Sequence, residues 1–101
     1  MRYLLTGDAF DAATALDLNL ISEITTESPL NRALELAGHI AQAAPLAVQA
    51  TLASAKDAAE YGTEMAFSRL PQHLSPLLKT QDAQEGVMAM LQRRAAQFKG
   101  Q

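Results

Sequence analysis

Cysteine and tryptophan are absent from the 101 residues, and aromatic side chains make up only 5%. Without cysteine there is no disulfide framework, no thiolate nucleophile and no cysteine-ligated metal. Histidine is scarce too. His39 and His73 stand apart with no carboxylate at ligand spacing, so no metal site is expected, because such sites need three or four converging ligands. Both histidines read as surface or capping residues. No apolar run reaches the roughly 20 residues of a membrane span, and the opening residues do not form a signal peptide. A soluble, cytoplasmic protein is the expectation. Positive charge is sparse: eight Lys and Arg against eleven Asp and Glu give a net charge of −3. Nucleic acid, which needs a basic face, is not an expected partner, and neither is a membrane.

What is present is apolar and small. Hydrophobic residues reach 49%, but much of that share is alanine. The core has to come from Leu, Ile, Val, Met and Ala, with Phe10, Phe67 and Phe98 as the bulky pieces. A chain of this size folded alone buries only about 60–70% of its unfolded surface, so stability is expected to depend on a partner. Charge is unevenly spread: Arg93, Arg94 and Lys99 lie near the end and no acidic residue follows Glu85. Such a tail could receive a phosphate, or simply complement a helix dipole.

Residues 1–7 read as the last turn or two of a helix stopped by Gly7, and the chain is expected to begin in mid-element. Asp11 is a plausible N-cap for a short helix over 11–18, with Asn19 at its C′ position. Residues 20–24 alternate and predict a short strand or strand-like link. From Pro29 the pattern is helical, with Leu30, Ala33, Leu34, Ala37, Ile40, Ala41 and Ala44 along one stripe. Pro45 ends that helix and opens the next, whose expected inner side carries Val48, Leu52, Ala55 and Ala59. Residues 63–78 start as a helix that Pro71 and Pro76 should kink or split. In the last helix Asp82 and Glu85 have capping-box-like spacing, and Thr80 is an alternative N-cap. There Val87, Leu91, Ala95 and Phe98 are expected to face the core, and Gly86, Met90, Arg93 and Gln97 to form an adjoining flank.

Four segments in order resemble one family. Leu4-Leu5-Thr6-Gly7, followed by Ala12, Ala15 and Asn19-Leu20-Ile21, is similar to a pattern of the enoyl-CoA hydratase/isomerase (crotonase) family. So are Ile40-Ala41 with Ala44-Pro45-Leu46-Ala47-Val48, then Thr80, Asp82, Glu85-Gly86, then Arg93-Arg94 with Phe98-Lys99-Gly100. The resemblance spans nearly the whole chain. It implies an all-α fold, the C-terminal helical region of the crotonase fold, with about five helices and one short extended link. On this reading residues 1–101 form one helical domain that covers the acyl pocket and joins subunits. The same reading expects the family's N-terminal β/α spiral catalytic domain to be absent from these residues.

In that family the spiral domain carries two backbone amides that form an oxyanion hole, and hydratases generally add one or two glutamates that activate water. No catalytic residue is therefore carried over to this chain, and alone it is expected to be inactive. The resemblance implies an acyl-CoA thioester as substrate, no separate cofactor, and homo-oligomers built as trimers or hexamers. It also implies coenzyme A contact at Met90 and Arg93, which match an aromatic and a basic residue found in some hydratases. Met90 offers a polarizable face to adenine and Arg93 a partner for phosphate. Methionine in place of the aromatic, Asn19 for glycine, Leu52 where lysine is common, and the Pro71/Pro76 pair depart from the pattern. An alternative reading is a non-catalytic helical oligomerisation module. Neither reading identifies the acyl substrate or separates hydratase from isomerase.

Overall fold

The computed structural model describes residues 1–101 as six helices and no strand. The all-α expectation therefore holds. The chain divides into two compact units, Met1–Glu35 and Leu36–Gln101.

In the first unit each short helix is closed by local chemistry. α1 (Arg2–Thr6) stops at Gly7, whose φ of 70° is left-handed and whose N–H donates to the Tyr3 carbonyl at 3.0 Å. The Tyr3 ring then packs on Phe10, with centroids 4.6 Å apart. α2 (Ala12–Asp17) is capped by the Asp11 carboxylate, which accepts the Thr14 N–H at 2.8 Å. Asn19 takes the predicted left-handed C′ position at φ 55°. Its N–H donates to Leu16 and that of Leu20 to Ala15, both at 2.9 Å, the two bonds of a Schellman motif.

That motif also explains why the predicted strand over 20–24 does not form. The Leu20 N–H is already used to close α2, and the fold has no strand to pair with the remainder. The segment is instead held by Glu23, whose carboxylate meets the Arg32 guanidinium at both oxygens. Arg32 also donates to Glu35 at 3.0 Å. The hydrogen bonds from Arg32 hold Glu23 below the usual carboxylate range, while Glu23 and then Glu35 push Arg32 up.

α3 (Pro29–Ala41) is amphipathic as predicted, but its stripe is uncovered. Leu30, Leu34 and Ile40 are each about three-fifths exposed or more. The helix stops at Ala41, so Ala44, counted on the stripe from the periodicity, instead precedes the next helix with φ −60° and ψ 117°. Pro45 requires that change, because a residue before proline is driven out of the α region.

In the second unit α4 (Pro45–Tyr61) and α5 (Thr63–Leu77) form a hairpin and are the only helices packed extensively on one another. Their joint is one residue. Gly62 donates its N–H to Ala58 and accepts from the Ala66 N–H, each at 3.1 Å, so it ends one helix and starts the other. On the α4 side, the cleft between α4 and α5 is lined by Ala50, Thr51, Ser54, Ala55 and Ala58. Of the predicted Val48/Leu52/Ala55/Ala59 side only Ala55 is among them, and Leu52 is 55% exposed. Small side chains win this face because they admit the neighbouring helix closely, and Ala66 of α5 is buried there.

α5 runs through Pro71 and Pro76 as one element rather than two. Each proline removes one hydrogen bond, but the flanking turns keep the element helical, and it packs along α4.

α6 (Gln81–Gln92) ends six residues before Phe98, so the predicted core set over 87–98 does not lie on one helix. Val87 and Leu91 are more than half exposed; Asp82 and Ala89 are buried instead.

Gly62 sits at φ 84° and ψ 164° with no atom within 4 Å of an added Cβ, so a side chain there meets backbone strain and not crowding. That region is open essentially only to glycine, and Gly62→Ala is expected to destabilise the hairpin by about 1–3 kcal/mol, measured as a lower denaturant midpoint.

Candidate functional site

α6 and the segment that follows it carry the residues singled out by the sequence. Thr80 is the N-cap: its hydroxyl accepts the Ala83 N–H at 3.0 Å and donates to the Leu77 carbonyl at 2.7 Å. Of the two N-cap assignments the sequence left open, the Thr80 one is correct. Asp82 and Glu85 are thereby left for another task, holding the returning strap of residues 93–101.

The Asp82 carboxylate is 4% exposed and accepts two backbone N–H groups, from Lys99 at 2.7 Å and Gly100 at 2.8 Å. Its own N–H donates to the Gln101 carbonyl at 3.1 Å. A buried carboxylate is costly unless hydrogen-bonded in this way. One turn on, Glu85 takes the Arg94 guanidinium at both oxygens, one contact at 2.8 Å, and accepts the Gln97 N–H at 2.8 Å. Arg94, then the Gln97 N–H, pull the Glu85 carboxyl from an ordinary 4.5 down to about 2. Phe98 lies over Gly86, and Gly100, at φ 75°, brings the strap against Pro45 at the start of α4. Asp82, Glu85, Gln97 and Lys99 line a polar recess of about 210 Å³ with Gln81.

Met90 stands in the last turn of α6 and is 72% exposed. Arg93 lies just past the helix at φ 52° and ψ 41°. Its N–H donates to Met90 at 3.2 Å and that of Arg94 to Ala89 at 3.0 Å, a second Schellman closure with arginine in the left-handed place. The predicted flank of Gly86, Met90, Arg93 and Gln97 is therefore broken. Arg93 leaves the helical stripe, and Gln97 sits on the strap. The two adjacent arginines have different fates: Arg94 is committed to Glu85, while Arg93 is exposed and pairs with no carboxylate of the chain.

A second constellation was not anticipated. An apolar cleft of about 390 Å³ lies between α4 and α5, walled by Ala58, Phe67, Leu70, Leu74 and others, with His73 in its lining. His73 Nε2 is 3.0 Å from Asp57 Oδ2, and Arg69 reaches the other oxygen at 3.3 Å while covering the Tyr61 ring at 4.4 Å. The His73 hydrogen bond, followed by the charge of Arg69, holds Asp57 below its usual range. His73 is thus a half-buried, bonded residue and not the free surface or capping one read from the sequence. The signal was present as Asp57 and His73, but their sixteen-residue separation is closed only by the hairpin. His39 remains exposed in the last turn of α3. No group of three or more His, Cys, Asp or Glu side chains converges on a point, and no helix is long and apolar enough to cross a membrane.

No family model matches the chain. Individual relatives do. It is 41% identical over 105 residues to (E)-benzylidenesuccinyl-CoA hydratase of Thauera aromatica, covering 99% of this chain and 40% of that protein. It is 31% identical over 100 residues to 2,3-dehydroadipyl-CoA hydratase of Escherichia coli, covering 98% and 39%. The crystal structure of a probable enoyl-CoA hydratase/isomerase from Mycobacterium abscessus superimposes with a TM-score of 0.90 at 37% identity, over all of this chain and 40% of that one. The chain thus spans about 40% of the length of the relatives it matches.

The strap's hold should fail in acid. A carboxyl depressed in the folded state stabilises it above the unfolded value and ceases to do so as pH falls through the folded one. For Glu85 that window runs from 4.5 down to about 2. The Gln97 amide proton is expected to lose its hydrogen-bonded NMR shift across that range. Arg94→Gln should move the loss to higher pH, since it removes the largest cause of the depression.

Proposed function

We propose that this chain, by sequence and fold the C-terminal region of an enoyl-CoA hydratase/isomerase (crotonase) family protein, supplies coenzyme A contacts and subunit-assembly surface to an enzyme of acyl-CoA thioesters. The carrying observation is the similarity to two hydratases whose names specify CoA thioesters, maintained along nearly the entire chain. The chemistry itself, an oxyanion hole and water-activating glutamates, is assigned to the family's β/α spiral domain. None of this chain's glutamates is given a catalytic role.

Arg93 and Met90 are the proposed contacts. A phosphate needs an accessible cation that is not already neutralised, and Arg93 meets that requirement where Arg94 does not. Met90, exposed one turn earlier, provides a soft apolar face for the adenine ring. The thioester is substrate, and no separate cofactor is required.

Assembly is supported by the exposed apolar side chains. Leu30, Leu34 and Ile40 on α3, and Val87 and Leu91 on α6, are too exposed for a finished surface. Large apolar side chains left in water on a helix face are a common feature of contact surfaces. The same observation favours a second reading, a non-catalytic module that only self-associates.

Crotonyl-CoA hydration by the chain alone is expected to be undetectable and to appear when the spiral domain is supplied. Turnover by the 101 residues alone would refute the assignment of catalysis elsewhere. Titration with coenzyme A should show roughly tenfold weaker binding for Arg93→Asn, a replacement that tolerates the left-handed backbone while removing the charge. Sedimentation showing self-association, with no coenzyme A bound even beside the spiral domain, would favour the module.

A further inference from the structure

We infer that Glu85 is a positioning residue for the Arg93 contact, acting through Arg94; this rests on the coenzyme A reading above. The argument starts from a conflict within the chain. Periodicity would carry α6 onward and set Arg93 on the stripe of Gly86, Met90 and Gln97. The observed backbone instead turns at Arg93 into the left-handed region, φ 52°, which an arginine adopts only against its own steric preference.

Something must hold that turn, and the residue after it is where the hold lies. The Arg94 N–H is bonded back to Ala89 at 3.0 Å. The Arg94 side chain runs back along the helix to both oxygens of Glu85, and its Nη1 also reaches the Ala95 carbonyl at 3.0 Å. Glu85 simultaneously takes the Gln97 N–H at 2.8 Å, so one carboxylate secures the chain on the C-terminal side of Arg93 at two points. Paired forks of guanidinium and carboxylate fix direction as well as distance. With the Met90 carbonyl accepting the Arg93 N–H, the arginine backbone is pinned on both sides in a left-handed, non-helical conformation. Without Glu85 the strap keeps its Asp82 bonds at Lys99 and Gly100, but the helical preference next to Arg93 loses the restraint nearest to it.

Electrostatics alone predicts the opposite sign. Glu85 is a negative charge near a proposed phosphate contact, so its removal would tighten coenzyme A binding if charge were its only influence. Positioning predicts weaker binding.

The test uses the full chain with coenzyme A followed by calorimetry, and backbone NMR shifts of Arg93 in the absence of ligand. Glu85→Gln, Arg94→Gln and the double variant should each weaken binding by the same factor, roughly threefold to tenfold, as members of one coupled unit do. In each the Arg93 shifts should move toward helical values. Arg94→Gln leaves the Glu85 bond to Gln97 available, so it disturbs the turn while the strap stays tethered. Tighter or unchanged binding in Glu85→Gln, with Arg93→Asn still weakened, overturns the positioning role and leaves the contact standing. Unchanged binding in Arg93→Asn overturns the contact itself, as does an absence of affinity that persists when the spiral domain is supplied.

Discussion

The grip of two α6 carboxylates on the returning strap is the interaction on which the second unit depends. α6 packs extensively on no other helix, yet Asp82 and Ala89 on it are buried. The strap closes over Asp82 through backbone hydrogen bonds. Asp82 binds it at Lys99 and Gly100, Glu85 binds it at Arg94 and Gln97, and Gly100 delivers it to Pro45 at the start of α4. A few charge-assisted hydrogen bonds to backbone N–H groups thus do work that apolar packing performs in most small domains. The Thr80, Asp82, Glu85-Gly86 motif acquires a physical meaning: cap the helix, then hold the tail.

The rest of the molecule is short of burial. Ala66 and Ala89 are its only buried hydrophobic residues, whereas Leu30, Leu34, Ile40, Phe67 and Leu91 are mostly exposed. Burial of a leucine is worth about 1.5–3 kcal/mol, so a row of such residues in water represents stabilisation not yet realised. Amphipathic helices normally obtain it against a neighbour. In this structure the apolar faces of α3 and α6 lack such a neighbour.

The α4–α5 hairpin shows how a polar group enters an alanine-rich interface. Small residues of α4 from Ala50 to Ala58 line one wall of the apolar cleft, and larger side chains of α5 line the other. Asp57 crosses between the helices to both His73 and Arg69, and Arg69 shields Tyr61. With one carboxylate serving two side chains of the neighbouring helix, the register of the hairpin is specified by more than apolar contact.

Local chemistry determined much on its own. Gly7 and Asn19 as left-handed stops, Asp11 as a cap, Pro45 as a helix start and the stripe of α3 were all legible, because each depends on residues within one turn. The family resemblance was legible for the same reason, since its motifs are helix ends and junctions. Other features depended on partners distant in sequence. The face of α4 was read correctly only at Ala55, because helical period says which residues share a side, not which side a neighbour selects. The end of α6 at Gln92 was hidden because helix propensity continues through Arg93 and Gln97, and only the strap's bonds to Glu85 and Asp82 overrule it. His73 looked isolated until the turn at Gly62 brought Asp57 to it. Spacing within a turn is written in the sequence, whereas contact across ten or more residues is decided when the chain folds back on itself.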